Sequence, residues 1–499
     1  MLETIRGRAA EFRAQLDGAA RVQERLLLEI VHRHAGCEYG RRHGFGRITS
    51  AAEWARRVPI VRYENLRGDL DRMIHGERDV LLTGKLLAFE ETGGSSGGRR
   101  LIPYTKHSLA AFRRGITVWL DDLYAGDPAL ASGTAYWSIS PAGRARAVTA
   151  GGIPIGLESD LSYLGPALAG EIAQTLSVGP EVAALTDLGQ WRMATCVQLA
   201  ADERLTLISV WSPTFLLQLL EYMFAHGSQI AAAIPNPARA AYVAKVLARS
   251  LADPAALWPA LRLISCWTHG SSGGFAARLA SLFPRVTLQG KGLLATEALV
   301  SIPLRALPWP VLALESAYIE LLDAGGAIRA ATAAEAGGEY EILITNDSGL
   351  YRYGIGDRVR VHGFAGGAPL LEFVGRTGIT SDLVGEKLDE AFVAAALRPL
   401  ARGFAALAPE EKSYALLLDL SETSHEIAPE LARRCDQQLR ANPQYAYARD
   451  LGQLEAVRPV RCDDPLGRYL AWRLRTGQRL GDIKPPALIV DAAWRAAFT

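Results

Sequence analysis

The chain has 499 residues, 49% hydrophobic and 21% charged, with 54 basic against 53 acidic side chains. That is enough chain for about three domains with large cores, and the near-neutral balance excludes the electrostatic footprint of a nucleic-acid or anionic-membrane binder. The first residues, Met1-Leu2-Glu3-Thr4-Ile5-Arg6, hold no apolar signal core, and no apolar run approaches the ~18 residues of a membrane span. Five scattered cysteines (Cys37, Cys196, Cys266, Cys435, Cys462) lack metal spacing, so most read as small buried hydrophobes of a reducing cytoplasm.

Residues 3 to about 35 are helical by period, with Ile5, Ala9, Phe12, Leu16, Leu26, Leu27 and Ile30 on the apolar stripe. Ser50 is an N-cap for a short helix, Val58-Pro59-Ile60-Val61 is extended, and Leu66 to Ile74 is helical. An apolar run from Leu81 to Phe89 then reads as a strand and ends in Thr92-Gly93-Gly94-Ser95-Ser96-Gly97-Gly98-Arg99-Arg100. Glycine permits φ > 0, so successive N–H groups of such a loop can converge on one phosphate, with hydroxyls and guanidinium groups as further donors. A flexible glycine loop is the alternative, since the P-loop spacing with its Gly-Lys-Ser/Thr end is missing. An amphipathic helix from His107 to Tyr124 follows, then a buried strand at 135–140 and a Gly-rich loop at 151–156.

Trp191 to Ala201 reads as a helix, Leu205 to Val210 as a strand and Phe215 to Phe224 as a helix, with Ala-rich helix over 229–260. The strand Leu261 to Trp267 runs into Gly270-Ser271-Ser272-Gly273-Gly274 and the helix Phe275 to Leu282, echoing the first glycine loop. Alternating strands and helices predict stacked parallel sheets covered by helices. From Gly338 the texture changes to antiparallel strands and turns, with strands at Glu339 to Thr345, Leu350 to Val361 and Leu370 to Val374 around the turn Asn346-Asp347-Ser348-Gly349. A small α+β unit ends the chain: helix 388–400, strand Tyr414 to Leu420, helix Glu430 to Arg440, strand Leu454 to Val460, helix 464–476.

Several stretches in this order carry a family pattern: Glu38 to Phe45, Val58-Pro59, the first glycine loop, Val210-Trp211-Ser212-Pro213-Thr214-Phe215, and Tyr351-Arg352-Tyr353-Gly354-Ile355-Gly356-Asp357 with Phe373-Val374-Gly375-Arg376 and Glu386-Lys387. By these the chain resembles the auxin-responsive acyl acid-amido synthetases, a branch of the adenylate-forming enzymes. The resemblance implies an α/β fold: a large N-terminal ATP- and acyl-binding domain of stacked sheets flanked by helices with a small β-barrel-like region (residues 1–380), and a small mobile C-terminal α+β domain (381–499). It implies activation of a small carboxylic acid by ATP and Mg²⁺ as an acyl-adenylate, then transfer to an amine, usually an amino acid. Thr92, Gly94, Ser95, Ser96 and Gly97 would cradle the phosphates. Glu297 would face Mg²⁺ and serve catalysis, with Thr296 a donor beside it; a single carboxylate plus phosphate oxygens suits that ion. Asp357 would accept both ribose hydroxyls, and Arg376 would reach ribose or phosphate. Lys484 would swing in with its lobe to neutralise charge during adenylation, the lobe turning about residues 377–387.

Without the resemblance, Glu297 and Lys484 read as solvated charges, Asp357 as a turn residue and Arg376 as a surface arginine. Trp137, Trp211 and Phe215 sit near strand ends and would line the acyl pocket, core packing being the other reading. The chain departs from the family at Gly93, where Ser is common, at Leu293, where an adenine-stacking Tyr is common, and at Pro486, where Arg is common. His32 and His34 stand at i,i+2 of a helix, so they point apart and read as surface residues. A thiol acceptor, coenzyme A or a carrier protein, is the alternative second substrate, and a silent nucleotide-binding relative is the alternative outside catalysis. Neither nucleic acid nor membrane is expected as a partner, and the oligomeric state is open.

Overall fold

The computed structural model describes residues 3–92, 100–137, 147–157, 163–185, 187–249, 253–400, 403–419, 427–478, 480–491 and 493–498. The core of the first glycine loop, including Gly94, Ser95, Ser96 and Gly97, and the end of the strand expected at 135–140 lie outside these residues. The chain divides into two compact units: Met1–Ile208 with Trp258–Leu263 and Gly290–Phe373, and Ser209–Leu257 with Ile264–Gln289 and Val374–Thr499.

The first unit is organised on a seven-stranded sheet, in the order Ile328–Ala330, Tyr318–Leu322, Glu339–Thr345, Tyr353–Ala365, Ala368–Arg376, Val311–Leu312, Ser301–Ile302. The helix Ala19–Arg33 packs its stripe of Val22, Leu26, Leu27 and Ile30 into the same core as Ile319, Ile342 and Ile344. Gln23 is buried in that seam, yet its amide donates to the carbonyls of Leu314 and Ala317 at 2.6 and 3.0 Å and accepts from the Ile319 N–H at 3.0 Å. A polar side chain is tolerated there because its hydrogen bonds are made.

The alternation around the first glycine loop hides a different topology from the one expected. The loop joins two antiparallel strands, Leu86–Thr92 and Arg100–Thr105, and only then does the helix Lys106–Gly126 begin, capped by Thr105. Around 270–274 the chain does run from strand Leu263–Cys266 through a short 3-10 turn into the helix Gly273–Leu282. The two Gly-Ser-Ser-Gly-Gly stretches therefore sit in different settings. From Gly338 on, Glu339–Thr345 pairs antiparallel with both Tyr318–Leu322 and Tyr353–Ala365, as the change of texture predicted. The α/β class holds.

In the second unit, Ala405–Pro409 and Tyr414–Asp419 pair antiparallel, and Arg458–Cys462 joins parallel to the latter. The parallel return requires a long connection, supplied by the helices Ala428–Leu439 and Pro443–Asp450. Leu407, Leu416, Leu418, Leu431, Cys435 and Leu439 fill its core. The stretch 377–387 is held at one end by the fully buried Glu386, whose carboxylate accepts from the N–H groups of Leu383 and Val384 at 2.8 Å and from the Tyr414 hydroxyl. The next residue, Lys387, is at φ +46°, a left-handed backbone that a lysine rarely adopts.

All five cysteines are buried and none forms a disulfide. Among the described residues no helix is long and apolar enough to cross a membrane. His34 corrects the reading of a surface histidine. It stands just past the helix end, 1% exposed, where Nδ1 accepts from the Thr83 N–H at 3.0 Å and Nε2 faces Asp347 at 3.1 Å.

Candidate active site

Thr296 and Glu297 form the tip of a tight hairpin. Leu294 bridges Leu299 antiparallel, and the N–H groups of Val300 and Ala295 donate to the carbonyls of Leu293 and Ala298, both at 2.9 Å. The hairpin enters through Gly292 at φ +75°, where a Cβ would stand 2.4 Å from the Ser301 carbonyl oxygen. Both tip carbonyls are held: the Tyr104 hydroxyl donates to Thr296 and the Asn346 amide to Glu297, each at 2.6 Å. The Glu297 side chain is half-buried. Its charge is felt nearby: burial pushes the Tyr104 and Tyr353 phenols above their ordinary value, and the Glu297 carboxylate adds to both shifts.

Asp357 lies inside a strand, not at a turn, and is 4% exposed. The strand Tyr353–Ala365 pairs Arg358 with Glu341 but Gly354 with Leu343, so it carries two more residues than its partner between these pairs. The three residues Ile355-Gly356-Asp357 stand opposite Ile342 alone, with Gly356 at φ +81°. Such a bulge re-aims a side chain that a regular ladder would commit to one face.

The residues just before Asp357 explain why the bulge is held. Tyr351 is fully buried and donates to the Leu81 carbonyl at 2.7 Å. Arg352 grips Glu320 through Nε and Nη2, both at 2.9 Å, and donates through Nη1 to the carbonyls of Ala55 and Val58 at 3.0 and 2.9 Å. Val61 bridges Tyr353, and Gly354 leaves room for Arg62, which pairs with Glu341. The Tyr-Arg-Tyr-Gly stretch is thus a buried staple.

Thr92 ends its strand opposite Arg100. Arg100 itself pairs with Glu64 at 3.1 Å and lies over the Tyr63 ring. Trp137 is half-buried and lines a small recess with Tyr136, Val178, Val182, Trp191 and Thr195. The Tyr136 hydroxyl, the Trp137 indole N–H and the Thr195 hydroxyl are buried there without hydrogen-bond partners among the described residues.

In the second unit, Lys484 is exposed and its ammonium lies 4.0 Å from the centre of the Trp267 ring. Trp267 in turn lies 6.2 Å from Trp211, centre to centre. The structure therefore brings Lys484 and Trp211 together through a tryptophan that the sequence reading did not single out. Phe215, 2% exposed, is in the interior of the helix Pro213–Ala225. Arg376 ends the strand Ala368–Arg376, half-buried, after Gly375, where a Cβ would stand 2.7 Å from that of Ala391.

Among the described residues no group of three or more His, Cys, Asp or Glu could hold a metal ion. A lone carboxylate on a rigid tip suits Mg²⁺, which takes one or two protein carboxylates and fills its shell with phosphate oxygens and water.

Two family models match the chain. The GH3 family N-terminal domain covers residues 8–236 and the GH3 family central domain residues 311–376, together more than half of the chain. The chain belongs to the GH3 family. A probable indole-3-acetic acid-amido synthetase GH3.2 of Oryza sativa subsp. japonica is 26% identical over 438 residues, covering 78% of this chain and 70% of that protein. The solved AtGH3.15 acyl acid amido synthetase in complex with 2,4-DB superposes with a TM-score of 0.87 at 19% identity, over 98% of this chain and 95% of that one. A 2-hydroxyisobutyryl-CoA ligase in the postadenylation state gives a TM-score of 0.57 at 13% identity, over 97% and 91%. The fold of this GH3 chain is that of the adenylate-forming enzymes.

Sequence reasoning missed Tyr104, Asn346 and Trp267 in this GH3 protein. Asn346 carried a signal, because Asn in a turn is often there for its side-chain hydrogen bonds. Its Oδ1 does accept from the Ser348 N–H at 3.0 Å, but its amide reaches Glu297, 49 residues away, which no local pattern records.

Proposed function

We propose that this GH3 protein activates a small carboxylic acid with ATP as an acyl-adenylate and passes the acyl group to an amine, such as that of an amino acid, forming an amide. The observation that carries the reading is the occurrence, in one unit of a GH3 chain, of a carboxylate on a pinned hairpin tip and a second carboxylate on a stapled strand bulge. A carboxylate oxygen of the acid attacks the α-phosphorus of ATP and pyrophosphate leaves. The amine nitrogen then attacks the acyl carbon, loses a proton, and AMP leaves.

Each candidate residue has a task in this reaction. Asp357, buried and held out of the ladder, accepts the ribose hydroxyls and fixes the nucleotide. Thr92, Gly94, Ser95, Ser96 and Gly97 donate to the phosphates. Thr296 and Glu297 face the reacting phosphate from a tip that does not reorganise, the condition under which fixed charges stabilise a transition state best. Mg²⁺, held by Glu297 with phosphate oxygens, would neutralise developing charge. Lys484 brings a positive charge to the first step and leaves for the second, carried by residues 381–499 as a mobile lobe; Gly378 and Gly385, at φ +90° and +103°, suit the hinge. Arg376 reaches ribose or phosphate, and Trp137, which lines a recess of the first unit, faces the acid. A cytoplasmic location fits buried cysteines that form no disulfide.

The test is ATP–pyrophosphate exchange against a panel of aryl and alkyl carboxylic acids. Acid-dependent exchange is expected, and none with any acid refutes adenylation. Amide formation with amino acids, and no thioester with coenzyme A, is expected in the second step; the reverse would assign a thiol acceptor.

A further inference from the structure

We infer that Tyr104 and Asn346 are positioning residues that clamp the Glu297 hairpin and thereby set how tightly the site takes Mg²⁺–ATP, an inference resting on the reading of Glu297 as the metal-facing carboxylate. The tip has two residues and two carbonyls, and each carbonyl receives one strong donor at 2.6 Å, the Tyr104 hydroxyl on Thr296 and the Asn346 amide on Glu297. Neither bond is needed to close the turn, because the Val300–Leu293 and Ala295–Ala298 hydrogen bonds close it already. What the two donors add is orientation. With both peptide planes held, the Cα–Cβ direction of Glu297 is fixed before any ligand arrives.

The clamp is itself braced. Tyr104 and Asn346 are 7% and 4% exposed. Tyr104 sits in the strand Arg100–Thr105, paired with Leu86–Thr92. Asn346 is fixed by its own N–H to the Leu350 carbonyl and its Oδ1 to the Ser348 N–H, both at 3.0 Å. The neighbours of the two clamps are joined, since the Thr105 hydroxyl donates to the Asp347 carbonyl at 3.1 Å. The Asp347 carboxylate is in turn held by Arg33 and by His34, whose Nδ1 accepts from Thr83. Residues 33–34, 83, 104–105 and 346–350 are thus linked behind the hairpin, and two of these stretches bond its tip carbonyls directly. Outer partners that orient a metal-binding carboxylate typically change metal affinity by about ten-fold or more, because an untethered ligand loses backbone and rotamer freedom when the metal binds.

Two substitutions isolate the clamp. Tyr104→Phe removes one hydroxyl. Asn346→Asp keeps Oδ1 for Ser348 but turns the donor toward Glu297 into an acceptor. Mn²⁺ binding would be followed by electron paramagnetic resonance in the presence of a non-hydrolysable ATP analogue, beside the Mg²⁺ dependence of pyrophosphate exchange. Each variant is expected to weaken Mn²⁺ about ten-fold, with an exchange defect that shrinks as Mg²⁺ is raised and metal-free binding of the analogue unchanged. Wild-type Mn²⁺ affinity in both variants, with Glu297→Gln weakened, would overturn the clamp and leave the reading of Glu297 standing. Unchanged Mn²⁺ affinity in Glu297→Gln would overturn both. A defect in exchange that no Mg²⁺ concentration relieves would mark the two residues as merely structural. If Asn346→Asp folds poorly, Tyr104→Phe alone decides.

Discussion

Arg352 lies in the stretch most typical of the family, yet the structure makes it a staple, so its loss is expected to cost stability more than nucleotide affinity. In Arg352→Ala, Glu320 keeps its charge at 4% exposure and loses both guanidinium contacts. Removing one partner of a buried ion pair costs about 3–5 kcal/mol. The carbonyls of Ala55 and Val58 also lose their donor, at about 1 kcal/mol each. The expected loss is about 5–7 kcal/mol, a large share of the roughly 5–15 kcal/mol that holds an ordinary domain together. Two further variants separate the terms. Arg352→Ala with Glu320→Gln removes the stranded charge and should recover most of the ion-pair loss. Arg352→Gly should lie about 1 kcal/mol above Arg352→Ala, because residue 352 sits at φ +48°, which glycine adopts freely. Hydrogen exchange along a urea series, read on peptides covering 318–322 and 353–361, measures the unit concerned without mixing in the other. A loss below about 2 kcal/mol, or a double variant no better than the single one, would refute the staple.

Asp357→Asn is expected to raise the KM for ATP by about 10- to 100-fold, the worth of charged hydrogen bonds to the ribose, and to abolish discrimination against 2′-deoxy-ATP; retained discrimination in exchange assays would count against the ribose role. Lys484→Ala should lose adenylation far more than amide formation from preformed acyl-adenylate, and equal losses would remove the lobe-borne role. Trp267→Leu should weaken adenylation only about two- to five-fold, the worth of an exposed cation–π contact, and a loss as deep as that of Lys484→Ala would mean Trp267 does more than hold the ammonium. At low pH, Asp347 becomes a sensor of the brace behind Glu297. Burial opposes its charge, but the His34 hydrogen bond and the Arg33 guanidinium overcome this and hold its pKa below the ordinary value. Its contribution is therefore complete above about pH 4, the unfolded value, and is lost as pH falls through the lower folded one. Asp347→Asn should flatten the fall of melting temperature in that acid window, and an unchanged slope would exclude the contribution.

Local pattern made much of the scaffold legible. The strand Glu339–Thr345 has the predicted bounds, and the helices at 106–126, 188–201, 213–225 and 428–439 stand within a few residues of their expected places, because each carries a 3.6- or 2-residue apolar period or a capping residue. The family motifs named Glu297 and Asp357 as candidates. Pairing was not legible. Nothing in Gly93 to Arg99 says that Arg100–Thr105 returns beside Leu86–Thr92, since a glycine loop before a helix looks the same whether or not a short strand intervenes.

The sequence by itself determined most of the helices and strands, that the chain has large apolar cores, and which motifs carry the candidate carboxylates. Tertiary structure alone decided how those residues are held. Arg352 is a staple because Glu320 lies under it, Asp357 leaves its ladder because Gly354 pairs with Leu343, and Glu297 is pinned because Tyr104 and Asn346 reach its hairpin. Each of these contacts joins residues far apart in the chain or depends on a register. Local periodicity records which face of an element is buried, but not which distant side chain it meets there.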